Sequence, residues 1–282
     1  MEKYVVLYNG KADNNTGLEN AKKLVGIIKD AELEYVDLVG KEIADVIKSY
    51  PKTQKFVLSG GDGTVNYFIN HIDEENIPEE IYYYPAGTGN DFYHDISERE
   101  NTNGIVKINK YITNLPVCFV NNKTYKFVDN VGFGIDGYCC EVADILKAKS
   151  DKPINYTGIA IKGMLFHFHS KKAKVIVDGK EYNFKNVWLA PVMKGKYYGG
   201  GMIPCPEQNR EGNSLSCLVW HKRSRLGTLI KFPGIFKGEH IKSKKMCNIF
   251  TGKHFVIEFN KPCAAQVDGE TELNTLRIEV KA

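Results

Sequence analysis

The sequence has no long apolar run, no C-x-x-C cysteine pair and no signal-like start, and each absence narrows the range of functions that the protein could have. No stretch approaches the roughly 18–20 apolar residues that a membrane-spanning helix needs, so any membrane contact would be peripheral. None of the 7 cysteines forms a C-x-x-C pair, and Met1-Glu2-Lys3-Tyr4 leads directly into a strand-like run. We therefore expect a protein of the reducing cytoplasm.

Net charge is also small, since the formal charge of the 282 residues is only +4. This balance gives no indication of nucleic-acid binding. The distribution is uneven, however, because residues 221–245 hold eight lysine and arginine residues against one glutamate, interleaved with leucine, isoleucine and phenylalanine. From composition alone, a solvated charged face explains this basic segment.

The first 115 residues alternate between strand-like apolar runs and helical patterns. The strand-like runs are Tyr4–Tyr8, residues near Tyr35–Val39, Phe56–Ser59 and Ile81–Tyr84, and the helical patterns pass through Leu24 and Ile28, around Ile43–Ile47, and from Val65 to about Ile72. This order predicts a parallel sheet covered by helices.

After about Pro116 the pattern changes to short apolar strands separated by turn signals. The predicted strands are Lys126–Val131, Ala173–Val177, Asn186–Pro191, Ser216–Val219, Phe255–Phe259 and Leu276–Val280, and the predicted helices are Tyr138–Lys149 and Tyr156–His167. We expect an α/β domain at residues 1–116 and a mainly antiparallel β-sandwich domain at residues 117–282. The last strand could pack back on the first domain.

The segment Ser59-Gly60-Gly61-Asp62-Gly63-Thr64 lies between a predicted strand and a predicted helix. Its three glycines fit a plain turn equally well, but they also allow the backbone to approach a phosphate at a helix N-terminus. Asp62 favours a functional loop, because a carboxylate in a tight turn is costly unless it meets a metal, a phosphate-bound cation or a hydroxyl proton. We interpret the loop as a nucleotide site.

A second glycine loop, Gly87-Thr88-Gly89-Asn90-Asp91, follows the next strand. Asn90 or Asp91 could be a helix N-cap, and the same side chains suit phosphate and Mg²⁺. Ligands of parallel sheets bind at the carboxyl ends of the strands, where both loops fall.

Two further motifs have simpler structural explanations. The G-x-G-x-x-G sequence at Gly132–Gly137 follows a strand outside any β-α-β unit, so packing explains it better than dinucleotide binding. Asp268-Gly269-Glu270 resembles a hairpin turn, although one of its carboxylates could accept a hydroxyl proton if the turn faces a cleft.

Five motifs together resemble the bacterial diacylglycerol kinases and related lipid kinases, across nearly the whole chain. They are Gly60–Asn66, Pro85–Phe92, Asn130–Gly134, Tyr197–Met202 and Asp268–Glu270, in the family's order. The first is shared with sphingosine kinases and NAD kinases, and the second, fourth and fifth are typical of lipid kinases. The resemblance implies that residues 1–116 form an NAD-kinase-like α/β nucleotide-binding domain and that residues 117–282 form a β-sandwich domain for the lipid or other substrate. It also implies an active site in a cleft between them.

The resemblance also implies ATP- and Mg²⁺-dependent transfer of the γ-phosphoryl group to a lipid hydroxyl, with diacylglycerol converted to phosphatidic acid. By position, Glu270 would accept the proton with Asp268 beside it and Asp62 in the catalytic set, and Asp62, Asp91 and Glu211 would be metal ligands. The implied nucleotide-binding residues are Asn9, Gly60, Gly61, Asp62, Gly63, Thr64, Asn66, Gly87, Thr88 and Asn90.

The chain departs from the family at several positions, and alternatives stay open. Tyr67 stands where a glutamate is common, and Cys118 and Glu211 stand where many members have aspartate near a second, structural Mg²⁺. The alternatives are kinases for a sphingoid base, phosphatidylglycerol or NAD, and a catalytically weak lipid- or nucleotide-binding regulator. A dinucleotide oxidoreductase built on Gly132–Gly137 is the remaining possibility.

A membrane-resident substrate also changes the interpretation of the basic segment. Residues 221–245 then predict peripheral contact with an anionic membrane surface, at the inner face of the membrane, in addition to the lipid substrate itself. We expect no nucleic-acid partner. The oligomeric state stays open, with a homodimer as one possibility.

Overall fold

The structure is a computed structural model that describes residues 1–100, 104–150, 154–221 and 224–282. The chain divides into two compact units, Met1–Leu115 and Pro116–Ala282. Each unit has its own sheet.

The first unit is built on a five-stranded sheet. Its strands are β1 (Glu2–Tyr8), β2 (Ala31–Asp37), β3 (Lys55–Gly60), β4 (Glu80–Pro85) and β5 (Val106–Lys107). Their order is β2-β1-β3-β4-β5; the first four are parallel, and β5 is antiparallel to β4. The central strands have continuous apolar runs such as Val5–Leu7 and Phe56–Leu58, which are buried, as expected for a parallel sheet covered on both faces.

Short helices connect these strands. They are α1 (Ala12–Asn15), α2 (Gly17–Lys22), α3 (Ile43–Lys48), α4 (Asp62–Asn70) and α5 (Asp91–Ser97), with 3₁₀ turns at Lys23–Gly26, Glu74–Asn76 and Asn109–Tyr111. The helix expected through Ile28 is shorter than predicted, since α2 passes into a 3₁₀ turn that ends at Gly26. The strand expected near Tyr35–Val39 ends at Asp37, whose carboxylate accepts the N–H groups of Gly10 and Val39.

The second unit contains ten strands, and every strand pair in it is antiparallel among the described residues. The strands are β6 (Val117–Val120), β7 (Lys123–Lys126), β8 (Asn130–Phe133), β9 (Lys171–Val177), β10 (Lys180–Val187), β11 (Val192–Met193), β12 (Leu215–Trp220), β13 (Cys247–Gly252), β14 (His254–Val267) and β15 (Glu270–Lys281). Their main order is β13-β12-β11-β8-β14-β15-β6-β7. The last strand, β15, pairs with β14 and β6.

The long strand β14 changes partners along its length. Phe255–Phe259 pair with β9, whereas Ala265–Val267 pair with β8, and the register shifts in between. Such irregularities bend a strand, which lets one strand join two parts of a sheet. Apolar side chains from both parts form one buried cluster.

The predicted strand Lys126–Val131 is two strands, β7 and β8. At the break between them, the backbone N–H groups of Val128, Asp129 and Asn130, the last of which begins β8, donate to the side chain of Asp268. The predicted strand Asn186–Pro191 is likewise interrupted, because β10 ends at Val187 after a register shift. The predicted order, an α/β unit followed by an antiparallel β unit, is confirmed.

Three helices of the second unit pack together in a second apolar cluster. They are α6 (Ile135–Lys147), α7 (Tyr156–Lys162), which continues as a π-helical segment (Gly163–His167), and α8 (Arg225–Lys231), which is followed by 3₁₀ turns at Phe232–Lys237 and Glu239–Lys242. In the part of the chain that the structure describes, no helix is both long and apolar enough to cross a membrane.

Candidate functional site

Three adjacent parallel strands of the first unit end at the same edge of the sheet. Asn9 follows β1, Gly61 follows β3 and Ala86 follows β4, and these strands are neighbours in the order β1-β3-β4. The N–H of Ala86 donates to the carbonyl oxygen of Gly60 at 2.8 Å, so the two glycine loops leave the sheet side by side. The loops therefore meet where parallel sheets usually bind ligands.

The glycines of the two loops have different surroundings. A Cβ on Gly87 would lie 2.4 Å from the Cα of Gly61, and one on Gly60 would lie 2.2 Å from Oγ1 of Thr64, so these glycines allow close packing. Gly63, in the first turn of α4, has no atom within 4 Å of such a Cβ among the described residues. Open space therefore adjoins the N-terminus of α4 at Gly63.

The carboxylate of Asp62 joins the two loops. Its Oδ2 accepts the backbone N–H of Asp91 at 3.0 Å, and its Oδ1 accepts that of Phe92 at 3.1 Å. These N–H groups lie in the first turn of α5 and have no acceptor within that helix. Asp62 therefore caps α5 from a distance of 29 residues in sequence.

Asn90 occupies the N-cap position of α5, but its side chain does not bind the helix N–H groups. Its backbone is left-handed, with φ of 53°, and its side chain instead binds Gly87. Oδ1 accepts the N–H of Gly87 at 3.1 Å, and Nδ2 donates to the Gly87 carbonyl at 2.6 Å. The side-chain capping suggested for Asn90 or Asp91 is thus provided by Asp62, and Asn90 closes the second loop.

The other predicted nucleotide residues differ in exposure. Asn9 and Thr88 are exposed, and the Oδ1 of Asn9 accepts the N–H of Lys11 at 2.9 Å. Asn66 is buried within α4, and its carbonyl accepts Nδ2 of Asn70. Thr64 is half-buried and lies against Gly60. Asn9 and Thr88 therefore present polar side chains to solvent from the ends of β1 and β4.

Of the predicted metal ligands, Asp62 and Asp91 lie next to each other in the first unit, and Asp91 is buried. Glu211 lies in the second unit, exposed, with its N–H donating to Oδ1 of Asn209. Over the described ranges, no group of three or more His, Cys, Asp or Glu side chains is placed to hold a metal ion. The role of these residues as ligands stays a prediction.

Asp268 and Gly269 form a two-residue hairpin turn between β14 and β15, which confirms the expected hairpin. Their φ angles are 45° and 93°, as the favoured tight hairpin turns require. The Asp268 carboxylate is buried and accepts the N–H groups of Val128 at 2.7 Å, Asp129 at 2.9 Å and Asn130 at 2.8 Å. Glu270, the next residue, is exposed at the start of β15.

A buried ion pair beside this turn was not anticipated from the sequence. Arg210 donates from Nη2 to Oδ1 of Asp129 at 2.5 Å and from Nη1 to the Val128 carbonyl, and both side chains are buried. A Cβ on Gly195 would lie 2.3 Å from Nη2, so the backbone at Gly195 packs directly against the guanidinium. No local signal in the sequence links residues 129 and 210.

The G-x-G-x-x-G motif serves packing, as expected. Gly134 has φ of 123°, and a Cβ on Gly137 would lie 2.1 Å from the Ala264 carbonyl oxygen. Asp136, within the motif, is buried, and burial raises its pKa to about 6. Cys118 lies in the sheet core, where burial raises its pKa to about 12, so this thiol is neutral.

Comparisons with known proteins match both units. Residues 3–116 match the family described as "Diacylglycerol kinase catalytic domain", and residues 129–280 match the family described as "YegS C-terminal NAD kinase beta sandwich-like domain". A crystal structure of a Bacillus anthracis diacylglycerol kinase has a TM-score of 0.61 at 22% identity, covering 99% of this chain and 94% of that one. This likeness shows the same fold.

Relatives of known sequence are consistent with both matches. A Mycobacterium tuberculosis diacylglycerol kinase is 23% identical over 251 residues, which cover 85% of this chain and 80% of that protein. A provisionally named lipid kinase of Staphylococcus epidermidis is 26% identical over 289 residues, covering 95% of this chain and 89% of the relative. The chain therefore belongs to the diacylglycerol kinase-like family of lipid kinases, with a catalytic domain followed by a YegS-type β-sandwich domain.

Proposed function

We propose that the protein is an ATP- and Mg²⁺-dependent kinase that transfers the γ-phosphoryl group to a lipid hydroxyl, with diacylglycerol as acceptor and phosphatidic acid as product. The observation that carries the proposal is the pair of glycine loops joined by Asp62 at the carboxyl edge of the parallel sheet. The match to the diacylglycerol kinase catalytic domain supports it. Phosphoryl transfer depends mainly on positioning and charge neutralisation, which such an edge can provide.

The residues at this edge fit a nucleotide phosphate. The N-terminus of α4 has backbone N–H groups without acceptors in the helix, and its first-turn Gly63 adjoins open space. The exposed side chains of Thr88 and Asn9 would contact the nucleotide from the neighbouring strand ends. When bound, ATP would supply the phosphoryl group and Mg²⁺ would offset the charge of its phosphates.

The carboxylates of Asp62 and Asp91 would hold the metal. Mg²⁺ in kinases is commonly bound by one or two carboxylates together with phosphate oxygens, so a larger protein cluster is not required. The hydrogen bonds from α5 hold the Asp62 carboxylate in place before any ligand binds. Such preorganisation lowers the cost of binding.

Glu270 would accept the proton of the lipid hydroxyl. It is exposed and is the first residue after a tight turn whose position is fixed by the three hydrogen bonds to Asp268. We therefore assign proton transfer to Glu270 and the holding of the turn to Asp268.

The test is transfer of labelled γ-phosphate from ATP, with Mg²⁺, into lipids presented in mixed micelles. The panel contains diacylglycerol, a sphingoid base and phosphatidylglycerol, with NAD assayed in solution. We expect label in diacylglycerol, and its loss in Glu270→Gln. Glu181→Gln, which alters another exposed carboxylate of the second unit, is the matched control and should transfer at the wild-type rate.

ATP binding is measured separately by calorimetry. Label in another acceptor would keep the kinase activity and overturn the choice of diacylglycerol. Binding of ATP without transfer to any acceptor would overturn the proposed reaction and favour a regulatory protein. A Glu270→Gln variant that transfers at the wild-type rate would overturn the assignment of the proton acceptor.

A further inference from the structure

Two contacting helical elements of the second unit expose large apolar side chains. Phe166 is 68% exposed, Leu226 is 63% exposed and Ile230 is 66% exposed. Ile161 and Phe236 add to this set, with 38% exposure each. We call these five residues the apolar patch.

The helical elements that carry the apolar patch pack against each other and are joined by hydrogen bonds. α8 packs against the π-helical segment that follows α7. Arg225, the first residue of α8, donates from Nη1 to the carbonyl oxygens of Met164 at 3.3 Å and Leu165 at 2.9 Å, directly before Phe166. Leu226 and Ile230 are four residues apart in α8, so they lie on the same face of the helix.

The core does not require these side chains. α8 and the turn after it already contribute Thr228, Phe232 and Ile235 to the interior, and Met164 does so from the π-helical segment. Exposure of apolar side chains to water is unfavourable in free energy, and clusters of such side chains ordinarily mark an interaction surface. We therefore expect the apolar patch to bind a partner whose interior is apolar and can bury these side chains.

The charges around the apolar patch indicate what that partner is. Lys162, Lys231 and Lys237 are exposed, and each is the next residue in the chain after Ile161, Ile230 or Phe236. Lys242, Lys244 and Lys245 follow, also exposed, and Glu239 forms an ion pair with Lys242 at 3.6 Å. Lys222 and Arg223 of the basic segment lie outside the described residues.

We propose that α7, the π-helical segment and α8 form a docking surface for an anionic lipid bilayer. Phe166, Leu226 and Ile230 enter the boundary between headgroups and acyl chains, and Lys162, Lys231 and Lys237 lie against anionic headgroups. Apolar side chains rimmed by lysines are the combination that binds such interfaces. The benefit of this docking rests on the proposed lipid kinase function, but docking itself needs neither ATP nor transfer.

The test measures binding of the full chain to vesicles of phosphatidylcholine, with and without phosphatidylglycerol, by co-sedimentation. We expect binding only where phosphatidylglycerol is present, and weakening as salt is raised. The variant Phe166→Ser/Leu226→Ser/Ile230→Ser should bind at least about tenfold more weakly, because it loses the groups that enter the bilayer. Leu273→Ser/Leu276→Ser, which alters two other exposed leucines on β15, is the matched control and should bind as wild type.

A second variant set tests the charges. Lys162→Gln/Lys231→Gln/Lys237→Gln should weaken binding at least about tenfold, since each cation near the surface contributes to attraction. Lys41→Gln/Lys48→Gln/Lys52→Gln removes three exposed lysines of the first unit and should have no effect. Equal loss in the variants and their controls would overturn the proposal, as would wild-type binding by the serine variant.

Sedimentation velocity and short-chain lipid separate the remaining outcomes. A wild-type dimer that the serine variant dissociates, without vesicle binding, would overturn the proposal and assign the apolar patch to a second copy of the chain. A serine variant that no longer binds vesicles but still transfers phosphate to a monomeric short-chain diacylglycerol would support the docking surface. Vesicle binding by a wild-type protein that transfers phosphate to no lipid would overturn the proposed function and leave the docking surface standing.

Discussion

The Asp62 carboxylate accepts hydrogen bonds from two backbone N–H groups, those of Asp91 at 3.0 Å and Phe92 at 3.1 Å. Its carboxylate thus satisfies the first turn of α5 while lying in the first turn of α4. A residue expected to act in catalysis and in nucleotide and metal binding therefore also joins the two loops of the candidate site. We therefore expect substitution of Asp62 to affect both stability and phosphoryl transfer.

We expect Asp62→Asn to abolish phosphoryl transfer and to lower the free energy of unfolding by about 1 kcal/mol, because the α5 cap loses its charge and one acceptor. Urea unfolding and the transfer assay measure the two effects. Thr88→Ala, at an exposed position of the second loop, should weaken ATP binding with unchanged stability. Full activity of Asp62→Asn would remove Asp62 from the catalytic set.

Two glycine substitutions should separate packing from ligand contact. Gly87→Ala should destabilise the fold, since its Cβ would lie 2.4 Å from the Cα of Gly61. Gly63→Ala has open space and should leave stability unchanged or raise it by up to about 1 kcal/mol through a less flexible unfolded chain. The same Gly63→Ala variant should bind ATP more weakly, because a methyl group would enter the space assigned to phosphate. ATP affinity is measured by calorimetry, and a Gly63→Ala variant that binds ATP as tightly as wild type would contradict that assignment.

The hairpin that contains Asp268 provides a third test. Asp268→Asn places an amide among three N–H donors that now share a buried carboxylate, so we expect a loss of about 1–3 kcal/mol in the free energy of unfolding. Glu270→Gln, two residues away and exposed, should keep wild-type stability and lose transfer. Thermal unfolding of both variants measures the two stabilities relative to wild type. A destabilised Glu270→Gln protein would argue against a purely chemical role for Glu270.

The sequence predicted the features that depend on local pattern. Parallel strands place their carboxyl ends at one edge, so the meeting of the loops after β3 and β4 could be foreseen. The Asp268-Gly269 turn could be foreseen as well, because Asp-Gly between apolar strands favours a tight hairpin.

The contacts that give these residues their roles could not be foreseen. Asp62 reaches α5 across 29 residues, Arg210 reaches Asp129 across 81, and Asp268 reaches Asn130 across 138. Hydrophobic periodicity and turn propensity describe neighbours in sequence and carry no information on such pairs. The strand boundary between β7 and β8 was misplaced for the same reason, since the distant Asp268 carboxylate decides it.

We expect Asp136 to make the free energy of unfolding depend on pH. Its Oδ1 accepts the N–H of Gly137 at 3.1 Å, whereas its Oδ2 is buried with no hydrogen-bond partner in the part of the chain that the structure describes. Burial raises the pKa of the folded state to about 6, above the value near 3.9 in an unfolded chain. The folded state therefore holds the proton more tightly than the unfolded chain does. The resulting contribution to the free energy of unfolding is complete below about pH 4 and is lost as the pH rises through about 6.

We expect Asp136→Asn to remove this dependence, because the amide is neutral throughout. The variant should match or fall slightly below wild type near pH 4 and exceed it by about 3 kcal/mol near pH 8, since roughly two pKa units at about 1.4 kcal/mol each separate the folded and unfolded carboxyl groups. Urea unfolding of both proteins across this range gives the difference, in which all other titrating groups cancel. A constant difference between Asp136→Asn and wild type would show that Asp136 is ionised in the folded protein throughout, and that its buried oxygen has a partner in solution.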